Sequence, residues 1–224
     1  CSFMNIITID FETYYSRDFS LSKVTTEEYV RDDRFEVIGI AVKENGGATV
    51  WFSGSMDFIS TCLSKYDWAN SFVLAHNAMF DAAILTWRFG IKPMAWLDTL
   101  SMARATDGLE AGNSLAKLVH RYALGEKGTE VLDAIGKRRE DFSSVDLAAY
   151  GRYCVNDVEL TYKLFNTMIK RGFPKTEMKL IDLTIRMFCQ PKLDLDLNLL
   201  EMHLADIKDK KEKLLQEANA NKDD

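Results

Sequence analysis

Residues 5–12 read NIITIDFE, and this stretch near the start of the chain does most to determine the fold class. It is rich in β-branched side chains and apolar on both faces, which is typical of a buried central strand. Because side chains alternate along a strand, Asp10 and Glu12 leave the sheet on one face and Phe11 on the other. The sequence therefore predicts a central strand whose end carries a pair of acids.

The chain beyond this strand alternates between strand-like and helical segments. A hairpin is predicted from residues 35–43 and 48–53, which Glu44-Asn45-Gly46-Gly47 joins. Further strands are expected at 71–76 and 94–97, and helices at 56–66, 77–89, from 99 onward, at 114–122 and at 144–171. A hairpin beside alternating strands and helices favours an α/β fold, a mixed sheet flanked by helices.

Composition limits the possible partners. The 224 residues are 47% hydrophobic and 28% charged, which is ordinary for a globular protein. No apolar run approaches the ~18 residues of a membrane span, so we expect no membrane association. A net charge of −6 argues against a broad electrostatic grip on nucleic acid, so any such contact must be local. The four cysteines have no metal-ligand spacing, which favours a reduced, intracellular protein.

Two later helices are expected to carry an acid on an apolar face. Asp81 lies four residues after Asn77, which places both on one helix face, and Tyr153 and Asp157 repeat this spacing in the long helix. A carboxylate in an apolar stripe must be paired or bound to metal, because burying it uncompensated is costly. The alternatives are a solvated helix start capped by Asn77, and a core tyrosine bonded to a neighbouring carboxylate.

The combination of these acids is more informative than any one of them. A lone DxE motif is weak, since an exposed pair at a strand end is common and residues 157–159 form a second one. Four inward carboxylates, however, would hold two divalent cations roughly 4 Å apart, the arrangement that supports phosphodiester cleavage. Oxygen-rich carboxylate sets suit Mg²⁺ or Mn²⁺. The sequence thus predicts a metal site made by Asp10, Glu12, Asp81 and Asp157.

Three motifs, in order, resemble those of the proofreading 3′-5′ exonucleases of the ribonuclease H-like superfamily. They are residues 10–13 (DFET), 76–81 (HNAMFD) and 153–157 (YCVND). A tyrosine with three residues before the last acid identifies the branch with four acids and a tyrosine. The resemblance implies a ribonuclease H-like mixed five-stranded sheet flanked by helices, followed by a C-terminal helical extension.

The resemblance also implies a role for each matched residue. Asp10, Glu12, Asp81 and Asp157 would hold two Mg²⁺ or Mn²⁺ ions, and Tyr153 would align the attacking water. Asn77 and Thr13 would contact the terminal nucleotide of a single-stranded DNA 3′ end, releasing nucleoside 5′-monophosphates. Asp98, which also lies in a segment familiar from the family, is interpreted as a helix cap. The basic run 137–139 is interpreted as a solvated face rather than a phosphate contact.

The region after Pro174 resembles the junction of such domains to a bacteriophage-type family A DNA polymerase. We therefore expect an exonuclease domain at 4–174 and a helical extension at 175–224, broken at Gln190-Pro191 and ending in an exposed, fraying charged helix. A polymerase domain or subunit is an expected partner, and the location is expected to be intracellular, in the host cytoplasm if the protein is viral.

Two alternatives remain open at this point. A ribonuclease D-type enzyme that trims RNA would use the same four acids and tyrosine, so the motifs do not separate DNA from RNA. The other alternative is an inactive exonuclease-like module that binds nucleic acid or supports a polymerase. The presence of all four acids disfavours the hypothesis of an inactive module.

Overall fold

A computed structural model describes residues 5–128 and 134–220 of the chain. Five strands form one mixed sheet in the order β3-β2-β1-β4-β5. They are β1 (Asn5–Thr13), β2 (Val37–Glu44), β3 (Thr49–Phe52), β4 (Ser71–Ala75) and β5 (Ala95–Asp98). β1 pairs antiparallel with β2 and parallel with β4, so the predicted central strand lies in the middle of the sheet.

Helices flank this sheet. They are α1 (Thr26–Arg31), α2 (Met56–Leu63), α3 (Ala78–Phe89), α4 (Thr99–Asp107), α5 (Leu115–Arg121), α6 (Ser144–Lys170), α7 (Lys175–Cys189) and α8 (Leu197–Ala220). The predicted fold class is confirmed: helices flank a mixed five-stranded sheet, and further helices follow toward the C-terminus. No described helix combines the length and the apolar character that crossing a membrane requires.

Helix α1 is an element that the predicted series of strands and helices does not contain. Thr25 caps it through the Glu28 backbone N–H, and the Glu28 side chain accepts from the Thr25 N–H in return. This reciprocal capping box stabilises a helix of only six residues. Its buried Tyr29 and Val30 join the core beneath β1. The Thr-x-x-Glu signature is present in the sequence, but the apolar stripe that would have supported it is too short.

The core lies on both faces of the sheet. On one face, β1 side chains such as Ile7, Ile9 and Phe11 pack with α3 residues such as Ile84 and Leu85. On the other face, α6 runs across β1, β2 and β3 and contributes Cys154 and Val158 to a cluster with Ala41. The sheet therefore places the end of β1 between α3 and α6.

The chain divides into two compact units at Gln190-Pro191. α7 belongs to the first unit: the Asp182 carboxylate accepts from the Trp96 backbone N–H at 2.8 Å, and Ile185 and Cys189 are buried. The second unit contains α8, in which no residue is buried and Lys210–Asp206 and Lys213–Asp209 pair along the surface. The expected exposed helix is thus present, and residues 221–224, where fraying was expected, lie outside the described residues.

Candidate active site

Strand β1 delivers the first two acids of the site. Asp10 pairs in register with Ala41 and Glu12 with Gly39, and the ladder shifts between Glu12 and Thr13. Phe11, between the two acids, is 4% exposed and belongs to the core on the other face. Asp10 and Glu12 are only partly buried. The alternation predicted from the sequence therefore places two carboxylates side by side at an accessible end of the strand.

Helix α3 adds a third acid against the same strand. Asp81 lies in the first turn of α3 and is 3% exposed, so it does not reach solvent as one alternative supposed. Its Oδ1 accepts from the Phe11 backbone N–H at 3.1 Å. This bond fixes Asp81 against β1, where its carboxylate interacts with that of Asp10.

Asn77 does not cap α3 with its side chain. It is in the left-handed conformation, with φ 70° and ψ 49°, and makes no side-chain capping bond. Its backbone N–H instead donates to Asp98 Oδ1 at 2.8 Å. Asp98 also caps α4 by accepting from the Leu100 and Ser101 N–H groups, as the sequence predicted. One buried carboxylate thus caps one helix and holds the residue that precedes another.

Helix α6 brings the last acid and the tyrosine to the site. Its close approach to the sheet depends on Gly151, where a Cβ atom would lie 2.6 Å from Cδ1 of Trp51 on β3. Cys154 and Val158 pack on the sheet, and Asp157, one turn after Tyr153, is 6% exposed. The face of α6 that meets the end of β1 therefore carries both predicted functional residues.

The pKa shifts show that these acids interact. Burial, and then the neighbouring Asp157 charge, raise the pKa of Asp10 from 3.8 to about 7. Burial and then the Asp10 charge raise the pKa values of Glu12 and Asp81 well above their ordinary values. The pKa of Asp157 is also raised, chiefly by burial. Each of the other three acids thus interacts electrostatically with Asp10, and four carboxylates form one site with unfavourable mutual repulsion.

The donor atoms of this site fit a divalent cation. Carboxylate oxygens of Asp10 and Glu12 and the Cys154 sulfur lie within 4.8 Å of one another. Asp157 Oδ1 is buried without a hydrogen-bond partner among the described residues, which is costly unless a cation meets it. The Cys154 thiol donates to the Asp10 backbone oxygen at 3.2 Å, and burial raises its pKa, so it supports Asp10 rather than acting as a ligand. The remaining donors are hard oxygens, which suit Mg²⁺ or Mn²⁺.

Three residues of the site were not identified from the sequence. Tyr150 hydrogen-bonds Glu12, Cys154 donates to Asp10, and the Lys127 ammonium lies 2.8 Å from Asp157 Oδ2. Tyr150 shares a helix face with Tyr153 and Asp157, so its spacing was a usable signal. Lys127 lies in an irregular loop, where no periodicity points to a partner.

Two clefts lie near the site, and one of them is lined by an acid of the site. One, of about 380 Å³, is lined by Glu12, Thr13, Phe80 and Tyr150 among others. The other, of about 310 Å³, is lined by Asn77, Asp98, Arg104 and several α7 residues. Thr13 opens onto the first cleft, but its hydroxyl is bonded to the Tyr29 hydroxyl at 2.9 Å, which leaves its backbone as the part able to meet a ligand.

The basic run at 137–139 includes structural contacts. Arg138 pairs with Glu36 at 2.7 Å, and its guanidinium lies 4.3 Å from the Tyr14 ring centroid. The Arg139 backbone N–H donates to the same glutamate at 3.0 Å. These contacts tie the segment before α6 to the segment before β2, so Arg138 is not simply a solvated side chain.

Comparison with known proteins assigns the family. The model of the 3′-5′ exonuclease family matches residues 27–172, and the chain belongs to this family of nucleases. No curated protein sequence matches the chain.

Solved structures of two nucleases and of a DNA polymerase share the fold. NrnC of Brucella melitensis is 14% identical with a TM-score of 0.58, over 84% of this chain and 83% of that one. The ribonuclease D of Trypanosoma brucei, in complex with RNA U12, is 14% identical with a TM-score of 0.64, over 85% of this chain and 65% of that one. A family B DNA polymerase of Pyrobaculum calidifontis is 15% identical with a TM-score of 0.58, over 83% of this chain and 27% of that one.

Proposed function

We propose that this chain is a metal-dependent 3′-to-5′ exonuclease that removes nucleotides from a single-stranded DNA 3′ end, as in the proofreading of DNA synthesis. The observation that carries the proposal is the convergence of Asp10, Glu12, Asp81 and Asp157 from three separate elements onto one site. Repulsion among four partly or fully buried carboxylates destabilises the fold, so a cation-binding role is the economical reason for it.

The four acids would hold two divalent cations, Mg²⁺ or Mn²⁺. When bound, such ions lower the pKa of a water and stabilise the leaving 3′ oxygen. Asp10 is central, since the pKa of each of two other acids is raised by its charge. Asp157 would contribute Oδ1, the buried oxygen without a partner. A solved structure of Brucella melitensis NrnC with bound Mg²⁺ shares the fold and is compatible with this assignment.

Tyr153 would orient the attacking water. It lies one turn before Asp157 and hydrogen-bonds that carboxylate, so its hydroxyl stands next to a proposed metal ligand. Burial raises the pKa of Tyr153, which keeps the phenol protonated near neutral pH and able to donate a hydrogen bond. A neutral phenol positions water without acting as a base.

The cleft at Glu12 and the cleft at Asn77 are the proposed binding region of the terminal nucleotide. The Thr13 backbone borders one and Asn77 the other, so the nucleotide would contact both across the metal site. The left-handed backbone of Asn77, held by Asp98, fixes the direction in which its amide side chain leaves the chain. The released product would be a nucleoside 5′-monophosphate.

The choice of DNA rests on the resemblance of residues 174–196 to the junction with a polymerase. The helical extension at 175–224 would then serve to connect the exonuclease to a polymerase domain or subunit. RNA trimming is the second candidate, because structures of Trypanosoma brucei ribonuclease D with RNA and of Brucella melitensis NrnC bound to pGG share the fold.

Matched 5′-labelled DNA and RNA strands of one sequence test this proposal. We expect a ladder that shortens from the 3′ end, nucleoside 5′-monophosphates as products, and turnover at least about tenfold faster on DNA, a difference of about 1.4 kcal/mol in transition-state binding. Strands blocked with a 3′ phosphate are the control for polarity. Faster degradation of RNA would replace proofreading with RNA trimming, and absence of divalent-dependent release from either strand would refute the nuclease assignment.

A further inference from the structure

Lys127 is a cation within a site that is otherwise built to attract cations. Its ammonium lies 2.8 Å from Asp157 Oδ2, and the two side chains are 25% and 9% exposed. The same ammonium hydrogen-bonds Tyr153 and lies 5.1 Å from its ring centroid. One lysine therefore contacts both functional residues of α6.

The loop that carries Lys127 is fixed to α6. The Asn156 side-chain amide donates to the Glu126 backbone oxygen at 3.3 Å, one residue before the lysine. A Cβ atom at Gly128, one residue after it, would lie 3.7 Å from the Tyr153 ring, so the backbone there packs on the tyrosine. Because the residues on both sides of Lys127 contact α6, the loop backbone holds the lysine in position in addition to its attraction to Asp157.

The two oxygens of Asp157 have different partners. Oδ2 is paired with Lys127, whereas Oδ1 is buried with no hydrogen-bond partner in the described chain. Lys127 can hold one oxygen while the other meets a metal ion. The ammonium also donates to the Tyr153 oxygen, while the phenol O–H donates to the Asp157 carboxylate.

We propose that Lys127 is a positioning residue of the nuclease reaction: it holds Asp157 and Tyr153 in their working orientation while its positive charge weakens metal binding at Asp157. This inference rests on the proposed function for its catalytic part. A neighbouring positive charge repels a divalent cation, and the repulsion is substantial in a partly buried site. Lys127 would thus reduce the affinity for the metal ion, but it would fix the orientation of Asp157 and Tyr153 around the attacking water.

Lys127→Met tests both parts. We expect Mn²⁺ alone, titrated by electron paramagnetic resonance without nucleic acid, to bind at least about threefold more tightly because a like charge is removed. We expect kcat to fall roughly tenfold, with KM for the oligonucleotide changed less, because a partner of a metal ligand is lost. A purely structural lesion would instead weaken metal binding and slow turnover together.

Three comparisons complete the experiment. Lys127→Arg keeps a cation with several donors and should restore most of kcat. Lys170→Met is the matched control. Lys170 lies at the end of α6, about 20 Å along the helix from Asp157, so its replacement should change neither metal affinity nor kcat. In a double-mutant cycle, Tyr153→Phe should slow turnover, and adding Lys127→Met to it should cost less than the lysine change alone, since the lysine acts partly through the phenol.

The outcomes separate this inference from the proposed function. Unchanged or weaker Mn²⁺ binding by Lys127→Met would overturn it, and so would an unchanged kcat in an active enzyme. If the wild-type chain releases no nucleotide at all, the proposed function fails, and the Mn²⁺ titration still decides whether Lys127 opposes the metal at Asp157.

Discussion

At the scale of single residues, the site concentrates negative charge that the fold alone does not neutralise. Asp10 interacts unfavourably with its neighbours, and Glu12 and Asp81 share the resulting upward shift in pKa. Lys127 offsets part of this charge: it pairs with Asp157, and its charge also acts to lower the pKa values of Asp10 and Glu12. The metal-free protein is therefore expected to retain protons on acids that would be ionised in water.

This retention gives a testable dependence of stability on pH. Asp10 has a pKa of 3.8 as its ordinary value and about 7 in the folded protein. Between these values the folded state holds a proton that the unfolded chain has released, so the free energy of unfolding falls as pH rises through this window. We expect the melting temperature in a chelator to fall by several degrees between about pH 5 and about pH 8.

Divalent cations should reverse this fall in melting temperature with rising pH, because they bind the deprotonated acids of the folded state only. Thermal melts with and without Mg²⁺ across the same pH range measure this. Asp10→Asn is the control and should reduce the pH dependence in the chelator, leaving the part that comes from Glu12 and Asp81. A melting temperature that rises with pH in the metal-free wild type would contradict the described electrostatics.

At the scale of elements, the site depends on how closely α6 lies on the sheet. Trp51 of β3 lies against two glycines, since Cβ atoms at Gly39 and Gly151 would come within 2.3 Å and 2.6 Å of its ring. Gly39 faces Glu12 in the β1–β2 register, and Gly151 lies in α6 just before Tyr153. Trp51 thus separates α6, which carries Tyr153 and Asp157, from β2, which pairs with the strand that carries Asp10 and Glu12.

Gly151→Ala is expected to lower both stability and nuclease rate, although it changes none of the four acids. Glycine to alanine inside a helix normally stabilises it by about 1 kcal/mol. Here the added methyl would overlap the Trp51 ring, so we expect destabilisation by about 1–3 kcal/mol and slower turnover as α6 moves outward. Chemical denaturation and nuclease rates measure both effects.

Gly46→Ala is the matched control, because a Cβ atom at Gly46 meets nothing within 4 Å. It should leave rate and stability close to wild type. A Gly151→Ala variant that is more stable than wild type and fully active would show that α6 does not need this close approach.

The sequence and the structure agree best where periodicity is strong. The alternation of NIITIDFE places Asp10 and Glu12 correctly, and the helical spacing of Tyr153 and Asp157 places them on the inward face of α6. The strand order could not be derived, because it depends on which crossovers pack together. Lys127 and the left-handed Asn77 could not be derived either, since both depend on loop contacts far apart in the chain.

At the scale of the whole molecule, the compact unit extends further than the motifs do. The motif resemblance ends near Phe173, and the domain boundary predicted from the sequence lies at 174. α7, however, is held to the sheet and to α3: the Trp96 backbone N–H of β5 donates to Asp182 at 2.8 Å, and the Trp87 indole N–H of α3 donates to the Cys189 oxygen at 2.8 Å. The division of the chain at Gln190 places α7 with the nuclease.

Two truncations test where the nuclease unit ends. A chain that ends at Gln190 should keep its melting temperature and its nuclease rate, since no α8 residue is buried. A chain that ends at Phe173 loses the buried Ile185 and Cys189, and should be destabilised by roughly 3 kcal/mol or more. Equal stability of the two truncated chains would assign α7 to the extension and support the boundary at 174.

The central claim is that four acids form a metal-dependent nuclease site, and the release of nucleotides by Asp10→Ala with Glu12→Ala tests it most directly. The double variant should release no nucleoside monophosphate above background with Mg²⁺ or Mn²⁺, yet melt at a higher temperature than wild type in a chelator, because repelling carboxylates are removed. Asp206→Ala with Asp209→Ala, an equal loss of charge on α8, should remain fully active. Nucleotide release by the Asp10/Glu12 variant at the wild-type rate would contradict the account.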